Sequence, residues 1–331
     1  MTRPVLGLDI GGANLKAAHT SGAARSVPFA LWRDPGGLDA AIGRLVAEMP
    51  PFDALAVTMT GELCDCFASK REGVNHILDA VEGRAKTVKV WTNEGEFVDV
   101  PTARREVLKV ASANWLALAT FAGRYAPEGQ ALLIDMGTTT TDIVPLFNGA
   151  PVPRGRTDTE RLESCELFYR GWKRTPLCVL GNLTHAAEFF ATMHDVCLVL
   201  GLVPEDPADR DTADGRPATR ADAERRLLRM ISGDLETCNV RRRRALATEC
   251  TFRFGAQMND AVAEVIRTLP TEPEAFIVSG SGAFFLIDAR PPSVRAQNVQ
   301  NIVRLDWKLD KEISAAACAH AVAVLARERE G

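Results

Sequence analysis

Two stretches of this sequence share one pattern, and that pattern restricts the fold more than any other feature. "VLGLDIGGANLKAA" (residues 5 to 18) and "LLIDMGTTTTDIVPL" (residues 132 to 146) each run from an apolar segment into an acid and then a glycine. An apolar run that ends in a glycine turn is typical of a buried strand followed by a tight turn. The repetition predicts a chain built from two related halves.

The rest of the chain alternates between strand and helix patterns. "ALAVTM" (54 to 59) and "AFIVSG" (275 to 280) are predicted as further buried strands. Helical patterns cover residues 38–49, 101–124, 184–200, 221–232, 255–269 and 311–328. Interleaved strands and helices favour α/β layers. Residues 149–220 are rich in Pro, Gly, Asp and Arg, which predicts an insertion rather than more sheet.

The composition is that of an ordinary globular enzyme, with 46% hydrophobic and 25% charged residues in a chain of 331. A formal net charge of -4 argues against a general nucleic-acid binder, and the four arginines at 241–244 are predicted to be a solvated helix end or loop. No apolar stretch is long enough to cross a bilayer, no secretion signal opens the chain, and the eight cysteines form no CxxC motif. We therefore expect a cytoplasmic protein without nucleic-acid or membrane partners; homo-oligomerisation stays open.

Each acid–glycine turn has the chemistry to hold a metal ion and a phosphate. Strands that end in Asp9 and Asp135 present carboxylates at the sheet edge where α/β sheets bind ligands. Carboxylates bind Mg²⁺, which bridges to phosphate, while backbone N–H groups of glycine turns and threonine hydroxyls donate to phosphate oxygens. Lys16 adds a mobile positive charge. Two such turns facing each other would hold a phosphate chain together with its metal.

A third glycine turn follows the strand in "IVSGSGAFFL" (277 to 286). The order of the three turns resembles the acetate kinase–sugar kinase–Hsp70–actin superfamily. This resemblance implies an α/β fold in which two ribonuclease-H-like (actin/hexokinase-type) domains face a central cleft. The implied domains are residues 1–128 and 129–310, with an insertion at about 149–240, and the closing helix 311–331 is expected to pack back on the first domain.

Four stretches narrow the resemblance to the hydantoinase/oxoprolinase-related group, in the branch associated with tetrahydromethanopterin-linked one-carbon metabolism. They are "VTMTGELCDCFASKREGV" (57 to 74), "GTTTTDIVP" (137 to 145), "ELFYRGWKRTPL" (166 to 177) and "EFFATMHDVCLVLG" (188 to 201). Archaeal members of this branch act in methanofuran biosynthesis. The resemblance implies an enzyme that joins an aminomethylfuran-methyl diphosphate to the phenol of γ-glutamyltyramine, or of a tyrosine-type acceptor, and releases pyrophosphate.

Under this resemblance, Asp9 and Asp135 are expected to organise Mg²⁺, and Lys16 to stabilise charge on the departing pyrophosphate. The residues expected to hold diphosphate or nucleotide are Gly11, Gly12, Asn14, Gly137, Thr138, Thr139, Thr140, Thr141, Gly280, Ser281 and Gly282. A phenol has a reference pKa of about 10, so a general base would help at neutral pH. The candidate bases are Glu62, Asp65 and Asp142, and the candidate substrate contacts are Asp65, Lys70, Arg174 and His194.

Three alternatives stay open at this point. The first is a Mg²⁺-dependent kinase or ATPase acting on a small molecule; the leading interpretation does not require ATP but leaves its binding open. Asn14 weakens the kinase alternative, because superfamily kinases often have Thr or Ser there. The second is ATP-coupled opening of a cyclic amide, for which the chain is short. The third is a nucleotide-sensing or scaffolding protein without catalysis, against which the intact acids and Lys16 argue.

Overall fold

The first half of the chain forms a mixed six-stranded sheet. A computed structural model describes residues 3–181, 184–288 and 301–329. The strands of this sheet are β1 (Val5–Ile10), β2 (Asn14–His19), β3 (Ala24–Pro28), β4 (Ala54–Met59), β5 (Thr87–Trp91) and β6 (Phe97–Asp99), arranged in the order β3-β2-β1-β4-β5-β6. Strand β1 pairs antiparallel with β2 and parallel with β4.

The second half repeats this arrangement. Its strands are β7 (Gln130–Met136), β8 (Thr141–Phe147), β9 (Ala150–Pro151), β10 (Leu167–Phe168), β11 (Ala275–Ser279) and β12 (Asn301–Arg304), arranged as β10-β8-β7-β11-β12, with β9 pairing with β8. Strand β7 pairs antiparallel with β8 and parallel with β11, as β1 does with β2 and β4. The predicted α/β class and its two ribonuclease-H-like halves are confirmed.

Helices cover both sheets and separate them. They are α1 (Leu38–Ala47), α2 (Lys70–Val81), α3 (Val100–Arg105), α4 (Val107–Val110), α5 (Asn114–Ala122), α6 (Asp158–Glu163), α7 (Met193–Leu200), α8 (Arg220–Arg229), α9 (Val240–Arg267), α10 (Ala283–Asp288), α11 (Leu305–Lys308), α12 (Lys311–Ala315) and α13 (Ala317–Glu328). Within the described ranges, none of them combines the length and apolar composition that a membrane span requires. All eight cysteines are free.

Several helix boundaries differ from the prediction. The predicted helix 101–124 is divided into α3, α4 and α5, and Ser112 adopts a positive φ of 49° between the last two. The predicted helix 184–200 begins only at Met193, whereas the predicted helix 255–269 is the end of the much longer α9. The closing helix 311–328 divides at Ala316. Residues 330 and 331 of the expected 311–331 helix lie outside the described residues.

A central layer of α5 and α13 lies between the two sheets. Helix α13 packs against β1, β2 and β4, and α5 packs against α13, β7 and β8. Side chains of β1 alternate, as successive residues of a strand must: Leu8 and Ile10 enter the outer core with α1 and α2, whereas Val5 enters the central core. Asp9 therefore points from β1 toward the central layer.

Gly7 is required where α13 crosses β1. A Cβ atom at this position would lie 1.9 Å from the carbonyl oxygen of Ala319, which is backbone and cannot rotate away. Gly7→Ala is expected to lower the free energy of unfolding by about 1–3 kcal/mol, as overpacking does, and urea denaturation followed by circular dichroism measures it. Gly255→Ala is the control: it lies in α9 with nothing within 4 Å of the new Cβ, and is expected to stabilise by about 1 kcal/mol. Equal effects of the two substitutions would contradict the packing argument.

Candidate functional site

The first hairpin brings a carboxylate and an amine together. Asp9 lies opposite Lys16 in the β1–β2 pair, and Lys16 Nζ donates a hydrogen bond to Asp9 Oδ2 at 3.0 Å. The turn closes through a 3.0 Å hydrogen bond from Gly11 N to the Asn14 carbonyl oxygen. The charge of Asp9 raises the pKa of Lys16 above its ordinary value, against the opposing effect of burial. Lys16 therefore stays protonated throughout the physiological pH range.

The second hairpin has the same register with different chemistry. Asp135 lies opposite Asp142 in the β7–β8 pair, and a 2.8 Å hydrogen bond from Gly137 N to the Thr140 carbonyl oxygen closes the turn. Cross-strand neighbours of an antiparallel pair point to the same face of the sheet. Asp142 therefore occupies the position in the second hairpin that Lys16 occupies in the first.

Asp135 lies at the inner end of β7 among charged neighbours. Its strand neighbour Leu133 enters the central core, so Asp135 points toward the same layer as Asp9. Burial raises the pKa of Asp135 to about 6, and the like charge of Asp142 adds to the shift, while a hydrogen bond from Ser279 opposes it. The carboxyl group therefore changes its charge just below neutral pH.

A buried arginine that the sequence analysis did not predict balances Asp142. Arg161 is 1% exposed, and its Nη2 donates to Asp142 Oδ1 and to the Glu166 carbonyl oxygen, both at 2.9 Å. Its guanidinium carbon lies 3.9 Å from the ring centroid of Trp115 on α5. Burial raises the pKa of Asp142, and the charge of Arg161 works against that rise. Arg161 thus holds the Asp142 side chain in place and favours the ionised form of its carboxylate.

Two buried carboxylate oxygens at the hairpins, Asp9 Oδ1 and Asp135 Oδ1, lack a protein partner within the described residues, and Glu62 Oε2 between β4 and α2 is a third. No group of three or more His, Cys, Asp or Glu side chains in that part of the chain could hold a metal ion by itself. Mg²⁺, however, commonly binds one or two carboxylates and completes its shell with water and substrate phosphate. Burial raises the pKa of the Cys318 thiol beside them well above its ordinary value. The two oxygens fit a magnesium site shared with a phosphate.

The threonine loop (residues 137–140) is followed by Thr141, whose hydroxyl makes a hydrogen bond within the protein. Thr141 is completely buried, and its Oγ1 donates to the Arg170 carbonyl oxygen at 2.8 Å. Thr138, Thr139 and Thr140 are half-exposed, and the Thr138 and Thr139 hydroxyls lie 3.5 Å apart. The placement of Thr141 differs from its predicted diphosphate contact, whereas the other three hydroxyls lie at the surface where a ligand could reach them.

The segment 170–174 packs directly on the threonine loop. Arg174 N donates to the Thr138 carbonyl oxygen at 2.9 Å. A Cβ atom on Gly171 would lie 2.5 Å from the Gly137 carbonyl oxygen, so only glycine permits this approach. Residues 170–174 ("RGWKR") therefore support the threonine loop through contacts with its backbone.

The third glycine turn is covered by a tryptophan. Gly280 has a φ of +89°, and a Cβ there would lie 2.2 Å from the Met136 carbonyl oxygen. Trp172 Nε1 donates to Ser281 Oγ at 2.9 Å, and a Cβ on Gly282 would lie 2.8 Å from Trp172 Cδ1. The indole of Trp172 thus occupies the surface of this turn.

His194 supports that tryptophan. Its ring centroid lies 5.6 Å from that of Trp172, with the two planes at 88°. Burial lowers the pKa of His194 to about 4, so the imidazole is neutral at physiological pH. The structure places His194 against Trp172, and its predicted contact with substrate stays a prediction.

The loop between β4 and α2 carries two of the candidate bases in different surroundings. A Cβ on Gly12 would lie 2.7 Å from Cys64 Sγ, so this loop adjoins the first hairpin turn. Glu62 is completely buried and accepts a 2.6 Å hydrogen bond from the Ser112 hydroxyl, and burial raises its pKa. Asp65 is exposed. Asp65 is therefore open to solvent, whereas Glu62 is enclosed by the protein.

Two contacts bridge the mouth of the cleft between the halves. Lys70 Nζ on α2 lies 3.9 Å from Asp158 Oδ2 on α6. The guanidinium carbon of the exposed Arg174 lies 4.9 Å from the ring centroid of Trp32. Both predicted substrate-binding cations thus lie at the boundary between the two halves, with partners of their own.

Three residues of the site were not predicted from the sequence: Arg161, Trp172 and Ser279. Ser279 is the last residue of β11 and lies opposite Asp135, so its place at a strand end was a usable signal. Trp172 lies inside a stretch that carried the family resemblance. Arg161 sits in a polar helical turn, and nothing in its local sequence marks it as buried.

Comparison with known proteins shows the family to which the sequence is similar. The sequence profile of the hydantoinase/oxoprolinase family matches residues 53–327. A Methanocaldococcus jannaschii protein, (4-{4-[2-(gamma-L-glutamylamino)ethyl]phenoxymethyl}furan-2-yl)methanamine synthase, is 29% identical over 343 residues, covering 98% of each chain. A Methanococcus vannielii protein of the same name is 30% identical over 208 residues, covering 60% of this chain and 91% of its own.

A solved structure supports the fold alone. The nucleotide-free acetone carboxylase aligns with a TM-score of 0.54 and 10% identity, covering 98% of this chain and 70% of that one. At this identity the likeness concerns the arrangement of strands and helices, and it carries no argument about substrates.

Proposed function

The chain belongs to the hydantoinase/oxoprolinase family, and we propose that it is a transferase of methanofuran or methylofuran biosynthesis. It couples an aminomethylfuran-methyl diphosphate to the phenol oxygen of a γ-glutamyltyramine or tyrosine-type acceptor and releases pyrophosphate. The name of both archaeal relatives describes a product in which a phenoxymethyl ether links a furan to a ring bearing a γ-glutamylaminoethyl group. The match to the first relative over 98% of both chains supports transfer of that chemistry.

The observation that carries the proposal is the pair of unpartnered oxygens, Asp9 Oδ1 and Asp135 Oδ1, beside the charged Lys16. These two carboxylates would hold Mg²⁺, which when bound neutralises charge on the diphosphate. Lys16 donates to the diphosphate from the first hairpin. The hydroxyls of Thr138 and Thr139 donate to it from the second.

Bond exchange takes place at the furan methylene carbon. The phenol oxygen forms a bond to this carbon while the carbon–oxygen bond to the diphosphate breaks, and the electron pair leaves with pyrophosphate. Preorganised positive charge stabilises that leaving group as its negative charge develops. The phenol proton passes to Asp65. Of the three candidate bases, Asp65 is the exposed one, whereas Glu62 is buried and Asp142 is bound by Arg161.

A kinase or ATPase is the enzymatic alternative, and Trp172 argues against it. The resemblance to the kinase and actin superfamily implies that, in a protein that uses ATP, the third glycine turn would hold the adenosine. Here the Trp172 indole hydrogen-bonds Ser281 and packs on Gly282, so the chain itself covers that turn. This contact supports a diphosphate-bearing substrate over ATP.

The proposal predicts that purified protein forms the aryl ether from synthetic furan diphosphate, γ-glutamyltyramine and Mg²⁺. Mass spectrometry should detect the ether, and a pyrophosphate assay should find the two products in equal amounts. In parallel reactions with ATP and small alcohols, ADP should not exceed the background of an enzyme-free sample. Mg²⁺-dependent ADP release that an alcohol stimulates, without ether formation from any phenol, would overturn the proposed function.

A further inference from the structure

An open groove of about 370 Å³ lies at the β10 edge of the second half. Its walls are mainly apolar and come from β10, the segments beside it and α9; they include Leu162, Cys165, Phe168, Arg170, Val179 and Ala261. Leu162 and Val179 are 46% and 43% exposed, so part of this apolar wall faces solvent. Neither the hairpins nor the bond-exchange step described above uses the groove.

Arg170 supplies the positive charge of the groove. Its guanidinium carbon lies 5.1 Å from the ring centroid of Phe168, and the side chain is half-buried. Burial alone lowers the pKa of Arg170, with no carboxylate opposing the shift. Residues 3–181, 184–288 and 301–329 provide no ion-pair partner for it, whereas the buried Arg161 has one and the buried Arg226 has two. A charge held in partly apolar surroundings favours an anionic partner.

The groove adjoins the end of the threonine loop through Arg170. The carbonyl oxygen of Arg170 accepts the hydrogen bond from Thr141, directly after the threonine loop. Tyr169 also lines the groove and is 61% exposed. Burial raises the pKa of the Tyr169 phenol, and the nearby charges of Asp158 and Asp65 add to the rise while that of Arg174 opposes it. These three charged residues belong to the loops and helices at the boundary between the halves. A molecule that reacts beside the threonine loop could therefore extend past Tyr169 into the groove.

We propose that this groove binds the γ-glutamyl tail of the phenolic acceptor and that Arg170 binds its free carboxylate. The inference rests on the proposed function, from which the acceptor is taken. A γ-linked glutamyl group keeps its α-carboxylate free, and the planar guanidinium of arginine can hold a carboxylate through two parallel hydrogen bonds. The apolar walls formed by Leu162, Val179 and Ala261 pack against the methylene groups of the tail. Arg170 thus determines acceptor specificity without touching the reacting atoms.

The test compares two acceptors, γ-glutamyltyramine and tyramine, which differ only in the glutamyl group. Arg170→Gln is expected to lower the ratio of kcat/KM for γ-glutamyltyramine to that for tyramine by about 10- to 100-fold, mainly through the KM of the former. Arg170→Lys, which keeps the charge without the planar fork, should retain part of the preference. Arg225→Gln, at an exposed arginine paired with Asp222 on α8, is the matched control and should leave the ratio unchanged.

A second variant keeps the test independent of how Arg170→Gln folds. Val179→Glu places a carboxylate on the exposed wall of the groove, where it competes for Arg170, and is expected to reduce the preference for γ-glutamyltyramine. Equal losses for both acceptors in Arg170→Gln, or an undiminished preference in Val179→Glu, would overturn the inference and leave the ether synthesis standing.

Direct binding separates the inference from the proposed function. Isothermal titration of the wild-type protein should give a lower Kd for γ-glutamyltyramine than for tyramine, and Arg170→Gln should remove most of the difference. If no phenol yields an ether while this binding preference is present, the proposed reaction fails and the groove assignment stands. If the wild-type protein binds both compounds equally, the groove assignment fails.

Discussion

Replacing Asp135 with asparagine is expected to lower kcat/KM for ether formation by about 1000-fold or more, because the change removes a charge on which the metal and the leaving group depend. Asp135 Oδ1 is buried without a partner in the part of the chain that the structure describes, and Asp9 Oδ1 is the other such carboxylate oxygen at the hairpins. An amide keeps the size of the side chain but binds Mg²⁺ weakly. Single-turnover measurement of ether and pyrophosphate in the presence of Mg²⁺ tests the expectation.

Asp79→Asn is the matched control for this substitution. The Asp79 side chain is 69% exposed and pairs with Arg104 on the outer surface of the first half. The same chemical change there should leave kcat/KM within about twofold of wild type, as surface substitutions usually do. An Asp135→Asn protein that keeps its circular dichroism spectrum and also turns over at the wild-type rate would exclude the carboxylate from the reaction.

The raised pKa of Asp135 also leads us to expect that kcat/KM depends on pH. Only the ionised carboxylate can bind the cation, so kcat/KM at low Mg²⁺ is expected to rise as pH increases through about 6. Mg²⁺ favours the ionised form, so higher Mg²⁺ should move this acid limb to lower pH. Profiles measured at two Mg²⁺ concentrations check both the position and the direction of the shift. An acid limb that does not move with Mg²⁺ would assign the titration to another group.

The two hairpins were predictable because they depend on local sequence. The buried strand β4 was predicted with the boundaries that the structure has, and the apolar run before the first glycine turn forms the predicted strand β1. Asp9 and Lys16 are seven residues apart, as are Asp135 and Asp142, and a short turn between antiparallel strands makes each pair cross-strand neighbours. The shared spacing of seven residues is therefore consistent with the pairing register of the strands as well as with the position of the turn.

Features that depend on contacts distant in sequence were not predictable in the same way. Helix α9 begins at Val240, and Asn239 caps it, so the predicted helix end at residues 241–244 is confirmed. Only three of these arginines are solvated, because Arg243 is largely buried and pairs with Glu224. Arg161 becomes a site residue only because β8 and α5 bring Asp142 and Trp115 against it. Trp172 likewise meets Ser281 across 109 positions of sequence.

The two halves use equivalent positions for opposite purposes. Lys16 and Asp142 are both cross-strand neighbours of the strand-end acids, yet one is a cation and the other an acid neutralised by Arg161. A lysine at both positions would pair with both acids and compete with a bound cation. The observed arrangement leaves one oxygen of each strand-end acid without a protein partner among the residues that the structure describes. Under the proposed function, this difference between the halves leaves both strand-end acids able to bind the metal.

Removing the guanidinium of Arg226 is expected to destabilise the protein more than Gly7→Ala does. Arg226 is 0% exposed, and its Nε donates to Asp195 Oδ1 at 2.7 Å and its Nη1 to Asp214 Oδ1 at 2.9 Å. Asp195 also accepts from Thr192 N at 2.9 Å, so it caps α7. Arg226→Met would leave the Asp195 carboxylate buried without its cation. Loss of one partner of a buried ion pair costs about 3–5 kcal/mol of unfolding free energy.

The pH dependence of this loss distinguishes an unpaired charge from a packing defect. Burial already raises the pKa of Asp195 to about 6, and removal of the opposing Arg226 charge raises it further. The pKa of an aspartate in the unfolded state is about 4. When the pKa is higher in the folded state, the free energy of unfolding falls as pH rises between the two values. The deficit of Arg226→Met, measured by urea denaturation, should therefore be larger at pH 8 than at pH 5. A deficit independent of pH would indicate lost packing.

Two further variants separate the buried charge from its surroundings. In Arg226→Met/Asp195→Asn the buried carboxylate is absent, so the double variant should recover part of the lost stability at pH 8 and lose most of the pH dependence. Arg225→Met changes the neighbouring arginine, which is 48% exposed and pairs with Asp222, and should alter stability by no more than about 0.5 kcal/mol. Equal effects at positions 225 and 226 would mean that burial of the ion pair is not what makes Arg226 necessary. Arg226 also binds Asp214 and the Pro217 carbonyl oxygen. The same segment contains Asp209, which pairs with Lys173 beside the threonine loop. Loss of the buried ion pair is therefore expected to disturb the support of that loop as well.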